Sequence, residues 1–359
     1  MLFDDLIGQE VAKKVLRQAW AEQRLAQSYL FYGPDGVGKE TAALDLALAI
    51  NCGSPEGQPC RACSSCRRTA AYGHPDFHYL APVPHSATES ERRKIAEEIA
   101  EQLKEKAARP QLSLTFDRPV AITIDDIREL KERLALRPYE GDRKIALIIR
   151  ADQMTTEAAN AFLKILEEPS PTTFFVLVTD RPNYLLPTIV SRCQKVRFDL
   201  LPSAEISRHL IERHGQDGTG AGLVADLAAG SLGRALDMLG DDFREERDLA
   251  WDILGQAAEG NYYVMLEGIG AASEERGKPE RVLNLIEEIA SDLMHFRISG
   301  RCVNADRADR IQRMVQRYDQ RQLEDLVGRI ERSKSALASN VTPKLCLIAA
   351  CIGPGTVEP

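Results

Sequence analysis

Up to residue 200 the chain alternates short apolar runs with amphipathic stretches, and the two patterns have different periods. Runs rich in aromatic and branched residues at 28–32, 77–81, 145–149, 174–179 and 195–198 predict strands. Residues 155–168 instead place Ala159, Phe162, Leu163 and Leu166 on one face and stop at Pro169, which predicts a helix. Strands separated by helical stretches predict an α/β fold whose parallel sheet is covered by helices. Beyond Leu200 the strand pattern vanishes and the chain reads as helical, with Gly and Asp clusters near 215–220 and 240–242 breaking one helix from the next. The predicted organisation is a sheet domain over 1–200, a small helical domain over 201–242 and a second helical domain over 243–359.

Residues 88–108 stand apart. They are crowded with Glu, Lys and Arg, while Ile95, Ile99 and Leu103 recur at intervals of four. That narrow apolar seam reads as a solvated surface helix inserted in a loop, with partner docking as the competing reading. The apolar run at 345–352 falls far short of the roughly 20 residues a membrane helix needs and reads as a buried helix face. The first residues carry acids where an export signal would be basic, so a cytoplasmic protein with no membrane segment is expected. A net charge of −8 weighs against a free-standing nucleic-acid binder, but not against a subunit that shares its DNA contacts with partners.

The strand at 28–32 runs into Gly33-Pro34-Asp35-Gly36-Val37-Gly38-Lys39-Glu40, and a helical stretch opens at Thr41. Strand, glycine-rich turn and helix start are what a phosphate-binding loop requires. Gly33, Gly36 and Gly38 let backbone N–H groups turn inward, and Lys39 adds positive charge. One part fails. The position after the lysine should offer a hydroxyl to magnesium but holds Glu40, and Thr41 lies one residue on, about 100° round the helix. The strand at 145–149 should end in two acids, one for the metal and one for water. Ile149 and Arg150 stand there instead, and neither side chain can do either task. Asp152 comes too late to replace them and reads as the cap of the following helix. Weakened ATP or ADP binding and no hydrolysis are expected.

Two arginines fit other parts of such a site. Arg192, in Ser191-Arg192-Cys193 before the last strand, reads as a finger reaching in trans into a neighbour's ATP, with a structural ion pair as the competing reading. Arg234, in Gly230-Ser231-Leu232-Gly233-Arg234, reads equally as a contact over this chain's own phosphate loop or as a surface residue.

Cys52, Cys60, Cys63 and Cys66 offer four soft ligands in fifteen residues, enough to close a tetrahedral zinc site with no open position. Gly53, Ser54, Pro55, Gly57 and Pro59 form no regular element, so the metal would supply the folding energy and be structural. Iron–sulfur ligation is the rival reading. Arg61, Arg67 and Arg68 would offset thiolate charge or touch DNA. Cys193, Cys302, Cys346 and Cys351 are scattered and read as small core residues. His74, His78 and His85 lack a partner at a recognisable spacing and read as structural.

Taken in order, these segments resemble the clamp-loader branch of the AAA+ ATPases over nearly the whole chain. The resemblance rests on Phe3-Asp4-Asp5-Leu6-Ile7-Gly8-Gln9-Glu10, the phosphate loop, the cysteine insertion and His74-Pro75-Asp76. It continues through Ala158-Ala159-Asn160-Ala161-Phe162-Leu163-Lys164, Leu166-Glu167-Glu168-Pro169 and Ser191-Arg192-Cys193. Residues 337–345, with Asn340 and Pro343, are similar to the last helical pair of that family's collar. The resemblance implies an AAA+ P-loop domain, a helical lid and a helical oligomerisation collar on the three segments above. It implies a hetero-oligomeric ring with gamma/tau and delta subunits that opens a sliding clamp and places it on primer–template DNA. Catalytic members keep Thr after the lysine and the acidic pair, so Glu40, Ile149 and Arg150 match a non-hydrolysing member whose Arg192 serves its neighbour. An ATP-hydrolysing gamma/tau-type subunit is the alternative.

Overall fold

The computed structural model describes residues 2–54, 59–86, 88–116, 118–273, 277–339 and 341–352. Pro55 and Gly57 of the cysteine loop, Asn340, and residues 353–359 of the last predicted domain lie outside the described residues. The chain divides into two compact units, Met1–Ile206 with Ala229–Arg234, and Ser207–Ala228 with Ala235–Pro359.

In the first unit the order is α1 (Glu10–Ala21), β1 (Ser28–Tyr32), α2 (Lys39–Ile50), α3 (Ser64–Ala70), β2 (Phe77–Leu80) and α4 (Glu89–Ala108). There follow α5 (Ile124–Ala135), β3 (Lys144–Ile148), α6 (Thr156–Glu167), β4 (Thr173–Thr179), α7 (Pro187–Val190) and β5 (Gln194–Arg197). Each predicted strand forms within a residue of its expected bounds. All pairings are parallel, in the order β2-β3-β4-β1-β5. Residues of β3 and β4 are buried throughout, because helices cover both faces. Alternate side chains feed two cores. Tyr29, Phe31, Ile145, Leu147, Val176 and Val178 pack with α1 and α2. Leu30, Ala146, Ile148, Phe175 and Leu177 pack with α5 and α6. At the outer edge β5 buries Val196 and exposes Lys195 and Arg197, charges that discourage a sixth strand.

Two local expectations change. The cap of α6 is Thr155, whose Oγ1 accepts from Ala158 N at 3.2 Å, and not Asp152. The left-handed turn at Arg150 (φ +49°) sends Asp152 back toward β4 instead. The helix at 88–108 forms as predicted and is capped by Thr88, but its seam is not simply solvated. Ile95 is buried, and the stripe through Ile99 and Leu103 ends on Lys106, whose side chain is only 1% exposed.

The remaining helices are α8 (Ser203–His214), α9 (Gly218–Leu227), α10 (Leu232–Asp237), α11 (Asp241–Glu259), α12 (Tyr262–Ala272) and α13 (Lys278–Ser299). They continue with α14 (Ala308–Val315), α15 (Gln320–Ala338) and α16 (Pro343–Cys351). The unit boundary cuts α8 and α10. In the second unit Trp251, Leu254, Ile269, Leu283, Ile286, Leu293, Ile330 and Leu347 form one buried core across α11 to α16. Its buried acids are matched: Glu246 accepts a forked Arg281 at 2.9 Å, and Asp292 accepts from Val303 N and Asn304 N at 2.7 and 2.8 Å. Cys193, Cys346 and Cys351 are buried, and burial pushes Cys193 up to about 11 and Cys351 up to about 12.

Candidate functional site

The loop from β1 to α2 sits at the C-terminal edge of the sheet, where α/β folds bind ligands. Gly33, Gly36 and Gly38 take φ of +147°, +69° and +97°. A Cβ on Gly33 would lie 2.0 Å from Phe198 O, so only glycine fits this approach. The loop's polar groups are already engaged from within. Lys39 Nζ donates to Gly33 O at 2.8 Å and also to Pro34 O. Burial lowers the Lys39 pKa, while Asp35, Asp180, Asp152 and Glu40 oppose that shift. Gly36 O accepts from Gly233 N at 2.9 Å, which brings the start of α10, with Arg234, against the loop. From the N-terminal segment Gln9 Nε2 donates to Val37 O at 3.2 Å and to Asp199 O at 2.6 Å. Thr41 lies half-buried in the first turn of α2.

Glu40 does not face a phosphate freely. Its Oε1 accepts from Tyr79 Oη and faces Lys106 Nζ, each at 3.1 Å. Burial raises the carboxyl's pKa, and Lys106 and Tyr79 pull against that. At the end of β3, Ile149 is buried and its N–H goes to Leu80 O at 2.8 Å, while Arg150 is exposed. Asp152 accepts from Thr179 Oγ1 at 2.6 Å, which puts an acid near Lys39 from an unexpected position. The residues present do not make a magnesium site: the hydroxyl position is a paired carboxylate, and the strand end offers no acid.

Arg192 lies at the opposite edge. Tyr29 pairs with Gln194, so Ser191-Arg192-Cys193 precedes β5 at the N-terminal edge of the sheet. Five residues of β1, roughly 16 Å at strand rise, separate that edge from the phosphate loop. Arg192 is 36% exposed. Its Nη2 pairs with Glu167 Oε1 at 2.7 Å, and Nη1 donates to Thr188 O at 3.0 Å. Beside it is a recess lined by Gln27, Ser28, Leu166, Pro169 and Gln194. The Leu166-Glu167-Glu168-Pro169 helix end thus holds the arginine, a contact that spacing alone did not reveal.

The four clustered cysteines converge, with all Sγ atoms within 4.8 Å of one another. A tetrahedral zinc with Zn–S near 2.3 Å needs S···S near 3.8 Å, a contraction of at most about 1 Å, and the Cys60 and Cys66 Sγ atoms already stand 4.0 Å apart. Backbone N–H groups already point at the sulfurs: Cys60 N at Cys52, Cys63 N at Cys60 and Cys66 N at Cys63, at 3.3, 3.3 and 3.4 Å. The Cys66 N–H brings the Cys63 thiol down to about 6, while burial raises Cys66. The donor set fits a structural metal. Arg61 and Arg68 have other roles than expected. Arg61 ties the cysteine loop to Asp5 and to buried Asp45 of α2, both at 2.6 Å, and Arg68 grips Glu140. The acids next to them on the fold, invisible as neighbours in the chain, take their charge. Asp76 is likewise structural: burial disfavours its charge, but N–H donors from Tyr139, Glu140 and Gly141 at 2.7–2.9 Å outweigh it and hold its pKa low.

A family described as DNA polymerase III, delta subunit, matches residues 8–202, more than half of the chain. The chain belongs to that clamp-loader family. The delta' subunit of Bacillus subtilis is 28% identical over 334 residues, covering 91% of this chain and 90% of that protein. The delta' subunit of Pseudomonas aeruginosa is 31% identical over 250 residues, covering 69% and 64%. The tau subunit of Bacillus subtilis is 27% identical over 205 residues, covering 57% of this chain and 30% of that protein. The five-stranded parallel sheet that this chain's motifs led one to expect is present. Among its described residues no helix is long and apolar enough to cross a membrane.

Proposed function

We propose that this chain is the non-hydrolysing, delta'-type subunit of the ring that loads the sliding clamp onto primer–template DNA, and that Arg192 completes a neighbouring subunit's ATP site. One observation carries the reading: the phosphate loop and Arg192 lie on opposite edges of one sheet. A single nucleotide cannot be served by both. Arg192 is surface-exposed, and its exposed pair with Glu167 is worth only about 0–1 kcal/mol, a small barrier to re-aiming it. The gamma/tau alternative is disfavoured by Glu40, Ile149 and Arg150, and by a delta' relative matching over about nine-tenths of both chains where tau matches over 57% of this one.

On this reading residues 1–200 form the AAA+ domain, 201–242 the lid and 243–359 the collar that binds gamma/tau and delta in the cytoplasm. Gly33, Gly36, Gly38, Lys39, Thr41 and Arg234 line a nucleotide site of weakened affinity. Cys52, Cys60, Cys63 and Cys66 hold one zinc, which when bound stiffens the loop after α2 and takes no part in chemistry. The test is clamp loading by the complex reconstituted with Arg192→Ala. An intact complex that loads poorly supports the reading; unchanged loading reduces Arg192 to the partner of Glu167.

A further inference from the structure

Lys106 has no part in the chemistry above, yet it is the least exposed lysine among the described residues. It sits on α4, an insertion that otherwise turns charges to solvent. Its Nζ meets three oxygens: Glu40 Oε1 at 3.1 Å, Pro110 O at 3.2 Å and Leu112 O. Tyr79 Oη donates to the same Glu40 oxygen at 3.1 Å. An ammonium buried this completely must be paired, and Glu40 supplies the charge. Glu40 occupies the position from which a phosphate loop offers a hydroxyl to magnesium. The side chain that stands at this position is therefore already paired with a cation that belongs to the fold.

We infer that Lys106 is a built-in substitute for the divalent cation at this phosphate loop, so that the loop rejects the magnesium complex of a nucleoside phosphate. Magnesium needs a near-octahedral oxygen shell and gives up its water reluctantly. Here the carboxylate that stands in the hydroxyl's place has its Oε1 shared by an ammonium and a phenol, and a second cation beside it would be repelled by the first. What α4 gains by this is a hold on the first turn of α2. The inference rests on the non-hydrolysing reading above and deepens it, because loss of the metal hydroxyl is matched by a gain of a specific counterion from the insertion.

The test uses the full chain and a fluorescent ADP analogue, titrated in excess magnesium and in excess chelator. Wild type is expected to show no magnesium-dependent gain beyond about twofold. Glu40→Ser alone is expected to behave the same, because the ammonium remains. Glu40→Ser with Lys106→Met is expected to bind at least about tenfold tighter with magnesium than with chelator. If that pair fails to fold, Glu40→Thr with Lys106→Gln keeps a polar chain beside Pro110 and Leu112 and carries the same expectation. A magnesium gain in wild type, an equal gain in Glu40→Ser alone, or no gain in a folded double variant overturns the inference. ATP turnover on the same wild-type sample separates the two readings. Turnover defeats the non-hydrolysing one, whereas a magnesium gain without turnover defeats this one alone.

Discussion

At the C-terminal edge of the sheet the phosphate loop is closed on itself. Lys39 is bonded to the loop's own carbonyls, Gly36 O is taken by Gly233 N, and Glu40 is held by Lys106 and Tyr79. At the N-terminal edge Arg192 rests on exposed Glu167 and Thr188 O beside an open recess. On the reading proposed above the first edge is what remains of this chain's own nucleotide site and the second serves a neighbour's, and only the second can still present its charge to another molecule. On that reading the difference marks where a lost activity leaves its traces. Groups that face inward are recruited into packing and become costly to remove, while a group that faces a partner stays loosely held.

The comparison breaks most sharply through Arg192. Arg192→Ala is expected to lower ATP hydrolysis at the neighbouring site by roughly 10³-fold or more, measured on the reconstituted ring with its other sites disabled. Arg192→Lys is expected to recover part of that loss, because an ammonium carries the charge without the planar fork. Lys106→Met tests the other edge. It leaves the partly exposed Glu40 without its counterion and is expected to cost about 3 kcal/mol, the low end for a broken buried pair, read as a lowered thermal transition of the first unit.

A smaller effect comes from His78, on the same strand as Tyr79. Burial, with Lys144 and Arg133 nearby, depresses its pKa to about 4 from an ordinary 6.5. The folded chain thus binds fewer protons than the unfolded chain between those values. Stability is full above pH 6.5, falls as pH drops toward 4 and levels off below. Asp45, raised to about 6 by burial, has the opposite slope in part of that window, so the wild-type curve is flatter than either group alone would make it. His78→Gln is expected to remove an acid-side loss on the order of 2 kcal/mol, measured as the difference between variant and wild-type denaturation from pH 7 to pH 4. The smallest effect is Arg192→Ala on the chain's own stability, expected below about 1 kcal/mol. A larger loss there would erase the contrast between the two edges.

Much of this was legible in the chain. Continuous apolar runs fix buried parallel strands because both faces of the sheet are covered, and all five appear where the pattern put them. Glycines at 33, 36 and 38 announce the loop because its backbone angles, +147° at Gly33 above all, favour a residue without a side chain. The missed residues are those whose role depends on a partner far off in sequence. Lys106 hid in a charged stretch, although it falls on the seam one turn after Leu103 and could have been sought as the counterion Glu40 requires. Asp152 was misplaced because the left-handed turn at Arg150 is a tertiary choice that an arginine does not advertise. Arg61 and Arg68 looked basic and free because Asp5, Asp45 and Glu140 are not their sequence neighbours.

By itself the sequence determined the parallel sheet, the phosphate loop with its missing metal ligands, the four-cysteine cluster and the family. Each of these is written in residue type and short spacing, which local geometry obeys. Only the tertiary structure decided that the loop is closed from within, that α4 supplies the cation beside Glu40, and that Arg192 stands on the far edge of the sheet. Those depend on strand order and on burial, which bring together groups as distant as 40 and 106 and keep the phosphate loop and Arg192 on opposite edges of the sheet. Charge is read from the chain, but whether it meets water, a counterion or a partner is settled by the fold.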